Sequence, residues 1–164
     1  VRSILKIVSF FVILSCISCS ASQHLPQKMK LVEFKWSFTD SSVPPPYHRS
    51  YDLIFREDSF SVQIHSYGDV LFERREKFDM PDFQQLLDSF HIKKLVHQVD
   101  KKGCTGGVSY SMEILRENEL SEKRYVYLCG GMKEGDLGGD VEKFDQYLKT
   151  QILPQFSAWM NQVK

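Results

Sequence analysis

Strict alternation of apolar and polar side chains begins at residue 31. Val32, Phe34, Trp36 and Phe38 alternate with Glu33, Lys35 and Ser37, which predicts a half-buried strand with a strongly aromatic face. Residues 39–46 break the pattern, and Pro44, Pro45 and Pro46 cannot donate to a ladder, so this stretch is a turn or surface loop. Three more strand-like runs follow at 50–56, 60–66 and 69–75. Asp58-Ser59 and Tyr67-Gly68-Asp69 supply turn chemistry between them, so the connections are hairpins and the segment is a meander. Phe60, Val62 and Ile64 oppose Ser61, Gln63 and His65, leaving the second sheet face solvated or covered by something outside this segment.

After Pro81 the period becomes helical, with Phe83, Leu86, Leu87 and Phe90 on one stripe and Asp79 or Asp82 near the positive end of the dipole. Residues 91–99 fit either a continued helix or a short strand. Val108, Tyr110, Met112 and Ile114 then alternate with polar residues, and 125–128 form a second β-prone run beyond a polar break at Asn118, which predicts an antiparallel hairpin. Asp140 starts another helix, carrying Val141, Phe144, Leu148 and Ile152. Pro154 ends or kinks it, and it restarts over 155–162 with Phe156, Trp159 and Met160 apolar. The predicted class is α+β: a mainly antiparallel sheet in the order β-β-β-β-α-β-β-α, with two helices packed on one face. The segments 50–92 and 107–153, each hairpin then helix, raise an internal duplication without matching residues to support it.

The chain has 164 residues, 42% hydrophobic and 26% charged, which fits one domain with a short appendage. Formal net charge is zero, so the basic excess that phosphate contacts require is missing and no nucleic-acid partner is expected. Arg2 and Lys6 precede an apolar run at 7–14, followed by small residues with Cys16 and Cys19. A spanning helix needs roughly 17–25 apolar residues, so the run is too short for one. The Ile13-Leu14-Ser15-Cys16 and Cys16-Ile17-Ser18-Cys19 segments resemble the lipobox of bacterial lipoproteins, and either cysteine suits lipidation. The first has the better aliphatic position. The second leaves an even number of other thiols. Signal and tether together resemble the small lipoproteins of unknown function made by Bacteroidetes-type bacteria. Residues 1–19 read as a signal peptide, 20–30, polar with Pro26 and without a period, as a flexible tether, and 31–164 as the folded domain; the resemblance implies a cell-envelope location with the membrane as partner through the lipid. Ser20-Ala21-Ser22-Gln23 lacks the acidic stretch that accompanies surface export in such bacteria, which implies a periplasm-facing domain.

Cys104 and Cys129 fall at the same open end of the predicted hairpin. They lack the C-x-x-C spacing of redox dithiols, and in an oxidising compartment they suit a structural disulfide made reachable by Gly103, Gly106, Gly107, Gly130 and Gly131. His24, His48, His65, His91 and His97 show no metal-binding spacing, and residues 134–140 lack the order of a calcium loop, reading instead as a turn into a helix N-cap. No cofactor is expected. Pro44, Pro45, Pro46 and Tyr47 form a rigid candidate contact loop, and Trp36, though it suits a core, is also a residue type that interfaces use. The expectation is a non-enzymatic binding module with an envelope protein partner. Its narrower form is a small periplasmic inhibitor or immunity protein, and the alternative is an enzyme or small-ligand carrier with a site assembled from distant residues.

Overall fold

The aromatic alternation at the start of the domain becomes the centre of a single sheet. The computed structural model describes residues 30–45, 47–99, 103–118 and 120–163. Its strands are β1 (Leu31–Thr39), β2 (Ser50–Arg56), β3 (Ser59–Ser66), β4 (Asp69–Lys77), β5 (Lys93–Gln98), β6 (Val108–Arg116), β7 (Glu122–Cys129) and β8 (Met132–Gly138). They form an 8-stranded sheet in the order β4-β3-β2-β1-β6-β7-β8-β5, with every neighbouring pair antiparallel. Among the described residues three helices accompany it: α1 (Phe83–Ser89), α2 (Val141–Tyr147), which runs into a π-helical turn at Leu148–Ile152, and α3 (Phe156–Gln162). The predicted signal, with Cys16 and Cys19, and all of the tether but Lys30 lie outside the described residues, as does Pro46.

Register puts Phe34 opposite Phe55, Trp36 opposite Leu53, and Phe55 opposite Phe60, so these side chains share one face. Each helix packs on that face. Phe83 of α1 stacks on Phe34 at 4.1 Å, Phe144 of α2 meets Trp36 edge-on at 4.9 Å, and Phe156 and Trp159 of α3 lie 4.9 and 5.8 Å from Tyr51 and Phe60. These contacts make an aromatic core, since ring pairs at such distances add about 0.5–1.5 kcal/mol each beyond burial. The opposite face is polar and bound laterally by Ser37 to Asp52 at 2.5 Å, Lys35 to Asp52 at 3.3 Å, Arg56 to Glu33 at 2.8 Å and Lys123 to Glu113 at 3.1 Å.

The α+β class and the mainly antiparallel sheet hold, but the predicted order is corrected in three places. Residues 93–98, open between helix and strand, are β5, at the edge beside β8. Residues 132–138 are a strand, taking in most of the 134–140 stretch that was expected to be a turn into a helix N-cap. Gly130 and Gly131, with φ of 57° and 84°, close a two-residue hairpin that pairs Cys129 with Met132. Gly135 hides the strand in the sequence yet is what permits it: its φ is 128°, and a Cβ there would strike the Tyr125 carbonyl oxygen. The third correction concerns Pro154, which has no N–H to donate to Thr150. Leu153 instead bonds the Leu148 carbonyl at 2.9 Å, and α3 starts as a separate helix, giving three rather than two.

The connection through α1 carries the chain from β4 at one edge of the sheet to β5 at the other. Asp82 caps α1, accepting the Gln85 N–H at 3.1 Å.

Candidate functional site

Two polar clusters bear on the candidate site, one inside the domain and one at the end of the sheet where β1 turns into β2. Inside, Asp145 of α2 is 2% exposed and faces β1 and β2. Its Oδ1 accepts Trp36 Nε1–H at 3.0 Å and the Tyr51 hydroxyl at 2.5 Å, while Oδ2 lies 2.7 Å from Lys149 Nζ. Burial, and then the Asp145 charge, hold the Tyr51 phenol far above its usual range. The same two causes, in that order, push Tyr110 up to about 12. Each oxygen of the carboxylate has a donor, so the arrangement fastens α2 to the sheet instead of leaving a reactive group free. Trp36 is 0% exposed, which removes it from the candidate contact surface and makes it core.

At the sheet end, the loop between β1 and β2 is clamped from both sides by Asp40. Its Oδ1 accepts the Ser41 N–H at 2.8 Å and its Oδ2 the Arg49 N–H at 3.0 Å, while its own N–H donates to Ser50 Oγ at 3.0 Å. Tyr47 N–H closes a turn onto the Pro44 carbonyl at 2.9 Å. Arg49 ties the loop base to the chain end, donating to the Val163 carbonyl. Pro44 and Pro45 are exposed, and Tyr47 is 75% exposed.

Sequence reasoning missed the support beneath this loop. Tyr67, in the turn between β3 and β4, stacks on the buried His48 ring at 4.1 Å and donates its hydroxyl to the Val43 carbonyl at 2.5 Å. Its φ is 49°, a left-handed conformation that a bulky side chain adopts at a cost of about 1–2 kcal/mol. The turn position itself was readable from Tyr67-Gly68. That the first turn residue would be an exposed aromatic braced on another loop was not. His48 reaches Ser50 Oγ through Nε2 at 3.3 Å, and its Nδ1 is buried without a partner among the described residues.

Cys104 and Cys129 are brought together as the hairpin geometry predicted, forming a disulfide with Cα atoms 6.1 Å apart. It fastens the connection between β5 and β6 to the end of β7. Tyr127 reinforces this corner, its hydroxyl accepting the Gly107 N–H at 3.1 Å and donating to the Cys104 carbonyl at 3.3 Å.

A cavity of about 240 Å³ lies under α1, lined by Leu31, Phe34, Phe83, Leu87 and Ile114, with Arg116 among its polar neighbours. Among the described residues no three His, Cys, Asp or Glu side chains are grouped to hold a metal ion. No protein-family model matches this chain, and no curated protein or solved structure does either.

Proposed function

We propose that the chain is a non-enzymatic binding module of the cell envelope, held to the membrane by a lipid on Cys16 or Cys19 and facing the periplasm. It acts by contact with an envelope protein through Pro44, Pro45, Tyr47 and Tyr67. The observation that supports this is the left-handed Tyr67: asparagine or glycine would fill the turn without strain, so an exposed tyrosine braced on His48 is retained at a local cost. A rigid loop presenting proline and tyrosine side chains loses little conformational entropy when it docks. An inhibitor or immunity protein is the narrower form of the same reading.

Replacing Tyr47 with a photo-crosslinking phenylalanine analogue in cells tests it. We expect one discrete adduct that is absent when the analogue stands at Lys123 and lost on Tyr67→Asn, with the fold unchanged. No adduct, or equal adducts from both positions, overturns the contact surface. The anchor is tested separately by a fatty-acid analogue, which should label the chain and fail to label a Cys16→Ala, Cys19→Ala variant. The cavity under α1 favours a second reading, a carrier of a small apolar ligand, which predicts saturable binding of a short-chain hydrocarbon probe that Leu87→Trp abolishes.

A further inference from the structure

Among the described residues both sheet edges end in strands with unpaired backbone groups, and they differ in their ladders and charge. The ladder of β5 is irregular, its register shifting between Lys94 and Gln98, and Lys93 and Lys94 give it one sign of charge, so two copies would repel. The other edge, β4, runs in uninterrupted register with β3 from Phe72 to Lys77. The Phe78 N–H bonds the Asp58 carbonyl at 3.0 Å, in the same register as the Ser59 and Lys77 pair. By the alternation of an antiparallel ladder, the N–H and C=O groups of Glu73, Arg75 and Lys77 therefore point away from β3. This free edge reads Glu73-Arg74-Arg75-Glu76-Lys77, and Glu73 and Lys77 are exposed, without an ion-pair partner among the described residues.

We propose that β4 pairs antiparallel with β4 of a second copy of this chain, about a two-fold axis through Arg75. A two-fold perpendicular to the sheet requires directly opposed residues to share a face, which limits the register to even sums of residue numbers. Centred on Arg75, Glu73 opposes Lys77 of the second copy, and Arg74 opposes Glu76, the residue type it already pairs with in its own chain, each twice by symmetry. Phe72 then opposes Phe78 just beyond. Only Arg75 meets its own charge, and it reaches back over β3, its Nη2 lying 3.4 Å from Ser59 Oγ. Centred on Arg74, only the Glu73 and Arg75 pair is complementary. Charged edges ordinarily keep strands from pairing indiscriminately. On β4 the order of signs makes that protection selective, rejecting other edges and admitting its own. Pairing joins two sheets and places two copies of the loop surface on one assembly, although it is independent of what that surface binds.

Sedimentation of the full chain, disulfide intact, from micromolar to several hundred micromolar in low salt tests the pairing. We expect a monomer–dimer equilibrium that high salt weakens. Lys77→Glu and Glu73→Lys each turn two attractive pairs into repulsive ones and should weaken association about tenfold or more. The reciprocal Glu73→Lys, Lys77→Glu double variant should restore it. A monomer throughout the range, charge reversals without effect, or a double variant no better than the singles overturns the proposal. Both positions are exposed in the monomer, so circular dichroism should show the wild-type fold in every variant.

Discussion

Asp145→Ala withdraws one acceptor from three donors at once. Trp36 Nε1 and the Tyr51 hydroxyl, at 3.0 and 2.5 Å from Oδ1, are left facing an alanine inside the core. A buried donor without an acceptor costs about 1–3 kcal/mol. Lys149 loses its counter-charge at 2.7 Å, but its side chain is 25% exposed and turns toward water, so that part is discounted. The expected loss is about 3–5 kcal/mol, the range for removing one side of a buried pair and a large share of a typical 5–15. Urea unfolding followed by circular dichroism and tryptophan fluorescence measures it, with an unchanged m-value showing that only stability has moved. Asp145→Asn keeps an acceptor for Trp36 and should lose less. Trp36→Phe combined with Asp145→Ala should cost clearly less than the two single losses together. A loss under about 1 kcal/mol for Asp145→Ala, or strict additivity in the double variant, would refute the claim that this carboxylate fastens α2 to the sheet.

Reducing Cys104–Cys129, separated by 25 residues, should lower stability by about 3.5 kcal/mol in the chain-entropy model and the melting temperature by about 10 °C, measured by calorimetry with and without reductant. Both thiols reacting with an alkylating agent in unreduced native protein would contradict the bridge. The raised Tyr51 and Tyr110 phenols favour the folded state only while protonated. Their contribution is complete below the ordinary phenol value of about 10 and is lost as pH rises above it, so tyrosinate absorbance should show two phenols lagging and stability falling above about pH 10. Tyr51→Phe should flatten that fall. Gly135→Ala should cost about 2–3 kcal/mol, because its Cβ would meet the Tyr125 carbonyl at a φ of 128°; a neutral substitution would mean that β8 does not lie against β7 as described.

The elements legible in the sequence were those in which hydrophobic period and turn chemistry agreed. Phe34, Trp36, Val62 and Ile64 alternate because one sheet face is dry and the other wet, and the Phe83, Leu87 stripe follows from laying a helix on the dry face. β8 carried no such period. Of its side chains Met132 and Leu137 are the apolar ones, and Gly135 and Gly138 sit where Tyr125 and Leu95 leave no room for a Cβ, so tertiary contact overrode propensity. The Gly130-Gly131 pair between two segments was the available hairpin signal. β5 was ambiguous because an edge strand, exposed at all but Leu95, needs no alternation. Within the candidate contact surface, the proline-rich loop was legible from Pro44, Pro45 and Tyr47. The His48–Tyr67 stack was not, since it joins turns 19 residues apart that only sheet register brings together.

The crossing of α1 over the sheet sets an order of assembly. β1 to β4 pair only with neighbours in sequence or with β6, and β6 to β8 are a second local meander, so each half can form as its own residues collapse. β5 precedes β6 in the chain but has no strand to join until β8 exists, so its pairing waits on residues 135–138. Such non-local closure is what slows a β-rich chain. The same strand, with one irregular ladder to hold it, is also where the native sheet should open first, and its amides should exchange with solvent ahead of those of β1, β2 and β3.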